Sequence, residues 1–308
     1  MLRSALIAAS KSAGVRTLAE RTPLVRPIVD RFVAGTGVDA AIHTATELTA
    51  DRFVSLDHLG EDTGDRAQAD ATVRAYRALL ARLADTGLAP RSEVSVKLSA
   101  LGQAVDTDGD KIALENARLI CEAAAAAGTT VTVDMEDHTT TDSTLAIVRD
   151  LRLDYPDTGA VLQAYLRRTE ADCRDLSGPG SRVRLCKGAY DEPESVAFRD
   201  KSEVDKSYVR CLRVLMSGRG YPMVATHDPR LIPIARELAQ RAGRGGEDYE
   251  FQMLYGIRQA EQRALAASGL RMRVYVPYGS EWFPYFMRRL GERPANLAFF
   301  ARSFLTRG

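Results

Sequence analysis

An α/β fold of the (β/α)8 TIM-type barrel class is what this sequence predicts, with an N-terminal helical arm over residues 1–50, the barrel over 51–308 and a C-terminal helix over the barrel mouth. Three observations carry that expectation. From residue 53 onward, short runs rich in Val, Leu, Ile and Tyr alternate with longer stretches of helical periodicity, the signature of βαβ units. The short runs number eight. No G-x-G-x-x-G follows the first of them, so the phosphate turn of an open doubly wound sheet is missing.

The predicted strands are 53–57, 93–98, 130–134, 160–165, 182–186, 223–226, 249–254 and 271–276. Between them fall helical stretches at 67–86, 110–127, 142–154, 201–217, 229–241 and 257–268, several opening on Asp or Thr and closing near Gly. Residues 38–50 read as a helix of the arm, and no Pro/Gly/Ser linker marks a second domain. The first thirty-one residues carry six basic and two acidic side chains, a pattern shared by transit peptides and membrane-touching helices. Leu2, Leu6, Val15, Leu18 and Ile28 instead suggest short helices laid on the body of the protein.

Composition narrows the function. Of 308 residues, 42 are Lys or Arg and 41 Asp or Glu, so no global positive field gathers phosphate backbones and nucleic acid is not an expected partner. Cys121, Cys173, Cys186 and Cys211 lie far apart without a C-x-x-C pair, and read as buried thiols of a reducing, cytoplasmic compartment. No run approaches the roughly 20 apolar residues that span a bilayer.

In such a barrel the reacting groups project from the carboxyl ends of the strands, while the strand interiors are expected to fill with apolar side chains. The strand ends present Asp57, Lys97, Asp134, Gln163, Arg184 with Lys187, Thr226 with His227, Gln252 and Tyr275, a polar residue from every strand. Only six of the 42 basic residues are lysines, and two of those, Lys97 and Lys187, sit in strand patterns. Lys97 is open to three roles: a rim lysine with its ammonium in water, a Schiff-base nucleophile, or the partner of a substrate carboxylate. Alternation in TTVTVDMED turns Thr132 and Asp134 to one side of the strand, where Asp134 faces the mouth and is expected to pair with a neighbouring cation. His138 and His227 lack any metal-ligand spacing, so no metal is expected. Near the C-terminus a helix carries Tyr285, Arg288, Arg289 and Glu292, the glutamate spaced to brace either guanidinium, and a braced pair of forks suits bidentate capture of a carboxylate.

These segments resemble the proline dehydrogenase family, in particular its compact monofunctional bacterial form. VSVKLSALG, VTVDMED, VLQAYLRR, VRLCKGAYDE, ATHD, EFQMLYG and YVPYGSEWFPYFMRRLGE resemble family segments in family order, from about residue 50 to the C-terminus. The resemblance implies an FAD over the carboxyl end of the barrel, held by Met135, Gln163, Lys187, Gly188, Ala189, Thr226 and His227. It implies Asp134 and Arg184 as the catalytic pair, with Arg184 near the flavin N5. Lys97, Arg288 and Arg289 would hold the carboxylate of L-proline, Tyr190, Leu254, Tyr275 and Tyr285 would shape the ring pocket, and Glu292 would hold the arginine pair. The implied reaction yields 1-pyrroline-5-carboxylate, the first step toward glutamate, with electrons passed to a quinone through peripheral membrane contact. Asp228 stands where the family often has asparagine.

Two other readings compete. One is a Schiff-base aldolase or lyase using Lys97 on the same barrel; the other is a barrel that binds an amino acid or a flavin without turnover.

Overall fold

The computed structural model describes residues 26–292, with side chains through residue 289. Eight parallel strands close on themselves in chain order: β1 (Phe53–His58), β2 (Ser92–Val96), β3 (Val131–Val133), β4 (Gly159–Gln163), β5 (Arg182–Cys186), β6 (Tyr221–Ala225), β7 (Glu250–Leu254) and β8 (Arg271–Tyr278). β8 pairs with β1, and the registers Asp57↔Ser95 and Ser55↔Tyr275 bring these polar residues to matching heights.

Among the described residues, two short helices precede the barrel, α1 (Arg26–Val29) and α2 (Val38–Leu48). The crossover helices are α3 (Arg66–Asp85), α4 (Gly109–Ala127), α5 (Thr141–Asp154), α6 (Thr169–Asp175), α7 (Lys201–Ser217), α8 (Leu231–Arg241) and α9 (Gln259–Ala267), and α10 (Trp282–Glu292) follows β8. Each predicted strand and helix overlaps an observed one, with ends shifted by a few residues at most. The seven-residue α6 is too short to show a period and was not expected. Leu2, Leu6, Val15 and Leu18 lie outside the described residues, whereas Ile28 is buried.

The apolar core lies outside the strands. Val54, Leu56, Val94, Val96, Val133, Leu162, Leu185, Phe251 and Val274 turn outward and are buried against Leu79, Leu83, Ile120, Leu151, Leu212 and Leu215 of the helices. The expectation of an apolar interior is therefore wrong for this barrel. Its axis holds Ser55, Glu93, Ser95, Arg184, Glu250, Gln252 and Arg273, all buried. Arg184 donates to Glu93 (3.0 Å) and Ser55 (3.2 Å), and Arg273 donates to Glu250 at 2.7 and 3.1 Å. Charges can occupy the axis because each carboxylate meets a guanidinium and nearly every remaining donor finds an oxygen.

A second, smaller core closes the carboxyl end. Ile28, Val29, Phe32 and Val33 of the arm pack with Phe283, Phe286 and Met287 of α10, and with Leu59 and Ile257 from the exits of β1 and β7. The rings of Phe32 and Phe286 lie 6.3 Å apart. The arm can settle there because Gly256, at φ +74°, carries no Cβ; one would stand 1.7 Å from the Arg31 carbonyl oxygen. Beside it the Ala34 amide donates to Pro277 at the end of β8 (2.8 Å). No described helix is long and apolar enough to cross a membrane.

Candidate active site

Six strands deliver one cluster to the mouth. Lys97, just past β2, donates to Asp57 of β1 (2.8 Å), to Asp134 past β3 (3.4 Å) and to the Tyr275 hydroxyl of β8 (3.3 Å). Asp134 accepts from Tyr275 (2.7 Å), Ser95 (2.8 Å) and Arg184 of β5 (2.6 Å). Gln252 of β7 takes the Arg184 Nε–H. The inward side chain of one strand thus completes that of the next, as alternation on a closed sheet requires.

The electrostatics of the cluster assign charge states. Burial disfavours the ammonium of Lys97, but Asp57 and Asp134 outweigh it and raise its pKa above the ordinary lysine value. Burial likewise disfavours ionised Asp134, yet Lys97 and Arg184 hold its pKa below the usual carboxylate value. Burial, followed by the charges of Asp134 and Asp57, raises the Tyr275 phenol well above its usual range. At neutral pH the cluster is a fixed ammonium, a fixed guanidinium, a fixed carboxylate and a neutral phenol. A lysine so held is no amine nucleophile, which removes the basis of the aldolase reading.

Above the cluster lies α10. Arg288 forms a two-pronged pair with Glu61 of the β1–α3 loop, one prong at 2.8 Å. Burial opposes ionised Glu61, but Arg288 overrides it, and Lys97 lies close enough to lower the Glu61 pKa further. The side chain of Glu292, the expected brace, lies outside the described residues; Glu61, which the sequence reading missed, is the acid that meets Arg288. The Arg289 guanidinium stacks 5.1 Å from the buried ring of Tyr285. Tyr190, half-buried beyond β5, is raised well above its usual range by desolvation and then by Glu61. Leu254 packs against the α1–α10 cluster.

The expected cofactor residues follow one another on the ends of β3 to β6. Met135 is buried. Gln163 donates its amide to the Glu136 carbonyl (2.7 Å), and Leu254 N–H donates to His227 Nε2 (2.9 Å), which leaves the imidazole proton on Nδ1. Thr226 Oγ1 accepts from the Asp228 amide (3.0 Å). Lys187 bonds Asp205 and Asp228 (2.9 Å to the latter), both also bound by Arg230. Gly188, at φ +108°, lies against the ring of Tyr165, where a Cβ would stand 2.2 Å from Cδ1. Consecutive strand ends thus offer amide, imidazole and hydroxyl groups, a thioether wall and two cations. That donor set fits a flat heteroaromatic ring with alternating N–H and C=O edges and an anionic tail.

Fold and site together define a (β/α)8 barrel whose carboxyl face gathers buried cationic, acidic and phenolic side chains at one mouth, the place where enzymes of this fold carry their active sites. The proline dehydrogenase family model matches residues 41–302. The chain is 40% identical over 275 residues to proline dehydrogenase 2 of Bacillus subtilis, covering 89% of each chain. It is 38% identical over 312 residues to the proline dehydrogenase of Deinococcus radiodurans, covering 99% and 98%. Among solved structures, proline utilization A of Bdellovibrio bacteriovorus, inactivated by N-propargylglycine, superposes with a TM-score of 0.80 at 26% identity. That match covers 86% of this chain and 32% of the longer one. The chain belongs to the proline dehydrogenase family. It is an oxidoreductase acting on proline, and its membership implies a flavin.

Proposed function

We propose that this protein is an FAD-dependent L-proline dehydrogenase that forms 1-pyrroline-5-carboxylate and passes electrons to a quinone. The observation that carries this reading is the convergence of Lys97, Asp134, Arg184 and Tyr275, from four strands, into one hydrogen-bonded cluster under the helix that bears Arg288. In the family to which the chain belongs, the flavin supplies the two-electron acceptor for the hydride leaving carbon 5 of the substrate ring.

The residues of the chain do the rest. Lys97, Arg288 and Arg289 bind the substrate carboxylate, with the guanidinium forks setting its plane. Tyr275 and Tyr285, with Tyr190 and Leu254, wall the ring and hold carbon 5 in line for transfer, which is a demand for positioning more than for a strong base. Asp134 is held ionised by two cations and is therefore a poor proton acceptor; it organises Arg184 and Lys97, and the substrate amine reaches the site unprotonated. Met135, Gln163, Lys187, Gly188, Ala189, Thr226 and His227 would hold the cofactor, and Arg184 would set a guanidinium toward it from β5. Among the described residues, 51–292 form the catalytic barrel with its covering helix and 26–50 its arm. The enzyme works in the cytoplasm, and peripheral contact with the inner face of the membrane gives access to the quinone.

The test is the visible spectrum of the purified protein. Flavin absorption that bleaches when proline is added without oxygen, and returns on addition of a quinone analogue, is the expected result. Colourless protein, or flavin that proline leaves oxidised, overturns the reading.

A further inference from the structure

Ser99, on a short 3-10 turn at the exit of β2 (Ser99–Leu101), forms four bonds beyond its own turn, and they lead in two directions. Its hydroxyl and its amide donate to the two carboxylate oxygens of Glu136, at 2.6 and 3.0 Å. The same hydroxyl accepts from the Asp62 amide (3.2 Å), and its carbonyl accepts from the Thr63 amide (3.1 Å). Asp62 sits at φ +53°, a left-handed conformation that a non-glycine residue keeps only when its neighbours enforce it. The residue before it is Glu61, which grips Arg288. A single serine thus joins the β3 exit to the loop that latches α10.

We propose that Glu136, acting through Ser99, is a positioning residue: it fixes the strained loop that carries Glu61 and so sets the orientation of Arg288 toward the substrate carboxylate. This rests on the role given to Arg288 above. As a carboxylate, Glu136 can only accept, so the Ser99 hydroxyl must point its hydrogen at Glu136 and keep a lone pair for the Asp62 amide. A protonated Glu136 is itself a donor and competes with that amide for the same oxygen.

The groups facing Glu136 are Glu61 from the β1–α3 loop, Lys97 from the β2 exit and Tyr190 from the β5 exit, with the Gln163 amide bound to its carbonyl. Burial, the largest influence, pushes the Glu136 carboxyl up to about 7, with Ser99 opposing and Glu61 adding to the rise. The orientation of the latch therefore changes near neutrality, firm above that pH and loosened below it.

The experiment compares Ser99→Ala and Glu136→Gln in the flavin-loaded enzyme, with Arg288→Lys beside them. Glu136→Gln preserves side-chain shape, so it decides alone if Ser99→Ala does not accumulate. Loss of one buried bond in a binding latch predicts a rise of about tenfold in the KM for proline, with kcat changed by less than about twofold. Neither variant should add to the effect of Glu61→Gln in a double mutant, because all act through one loop. The acid-side fall of kcat/KM near pH 7 should shrink in Glu136→Gln, and Glu136→Asp should recover part of the KM. If Arg288→Lys weakens proline binding while Ser99→Ala or Glu136→Gln leaves KM within about twofold of the parent, the positioning role is overturned and the clamp stands. If Arg288→Lys also has no effect, the clamp itself fails.

Discussion

The barrel axis carries two ionic layers built from the same residue types, and they differ in what surrounds them. At the amino end Glu93 meets Arg182 and Arg184, and Glu250 meets Arg273, with the two glutamate side chains 1% exposed. At the mouth Asp134 is 12%, Arg288 14% and Glu61 18% exposed, and the acids share their cations with hydroxyls and with one another. The glutamates of the lower layer are sealed, each against at least one guanidinium, so its work is to hold β2, β5, β7 and β8 in register. The upper layer keeps its charges within reach of an entering ligand. Arg184 belongs to both, with one arm on Glu93 and another on Asp134, so the scaffold below fixes the angle of a cation at the reaction site.

The largest effect that would break this comparison is in the sealed layer. Glu93→Gln takes the buried carboxylate from Arg182 and one of the two that hold Arg184, and should cost about 3–5 kcal/mol of stability, read as a large fall in the thermal midpoint. A midpoint unchanged from the parent would mean that the lower layer holds nothing together. Arg288→Lys at the mouth should do the reverse: the fold survives, while the apparent affinity for proline falls about tenfold because a point charge replaces a two-pronged donor. Steady-state kinetics across proline concentrations check it, and an unaltered KM would deny Arg288 the carboxylate.

How much of this was legible beforehand follows from the range of each interaction. The strands could be read because β-branched runs between turn residues are a local signal, and Lys97, Asp134, Arg184 and Tyr275 could be placed at one rim because a closed parallel sheet brings every strand end there. The lower ionic layer was also written in the sequence, as polar residues at period two: Glu93, Ser95 and Lys97; Arg182 and Arg184; Glu250 and Gln252; Arg273 and Tyr275. The usual expectation of an apolar barrel interior hides it, because that expectation overrides the alternation itself. Glu61 had no such signal. It lies in the loop segment GEDTGD and meets Arg288 across 227 residues, whereas the local i,i+4 rule pointed to Glu292. Ser99 and Glu136 were hidden for the same reason, since their partners come from another crossover.

A smaller effect sharpens the boundary between the layers. Glu61→Gln removes a charge from a half-open pair and should cost only about 1–2 kcal/mol, between the values of exposed and sealed pairs. Thermal unfolding of this variant beside Glu93→Gln gives the ratio directly; equal losses would erase the distinction drawn from exposure.

The most diagnostic effect is that of Glu136, because its sign is opposite to that of Glu93, Asp134 and Glu61. Glu93, Asp134 and Glu61 have folded-state pKa values below the unfolded ones, so their stabilisation is present above the ordinary carboxylate range and is lost on acidification through the folded values. Glu136 is raised from 4.5 to about 7, so the folded protein binds its proton more tightly than the unfolded chain does. Its contribution therefore favours folding below 4.5 and is withdrawn as pH rises through about 7. Urea titrations across that window should show a downward slope of stability with pH in the parent and a flatter one in Glu136→Gln. The same substitution that weakens the latch should thus relieve a cost to the fold above neutrality. Retention of a buried carboxylate there is then explained by what it does for Arg288, since stability alone would favour the amide.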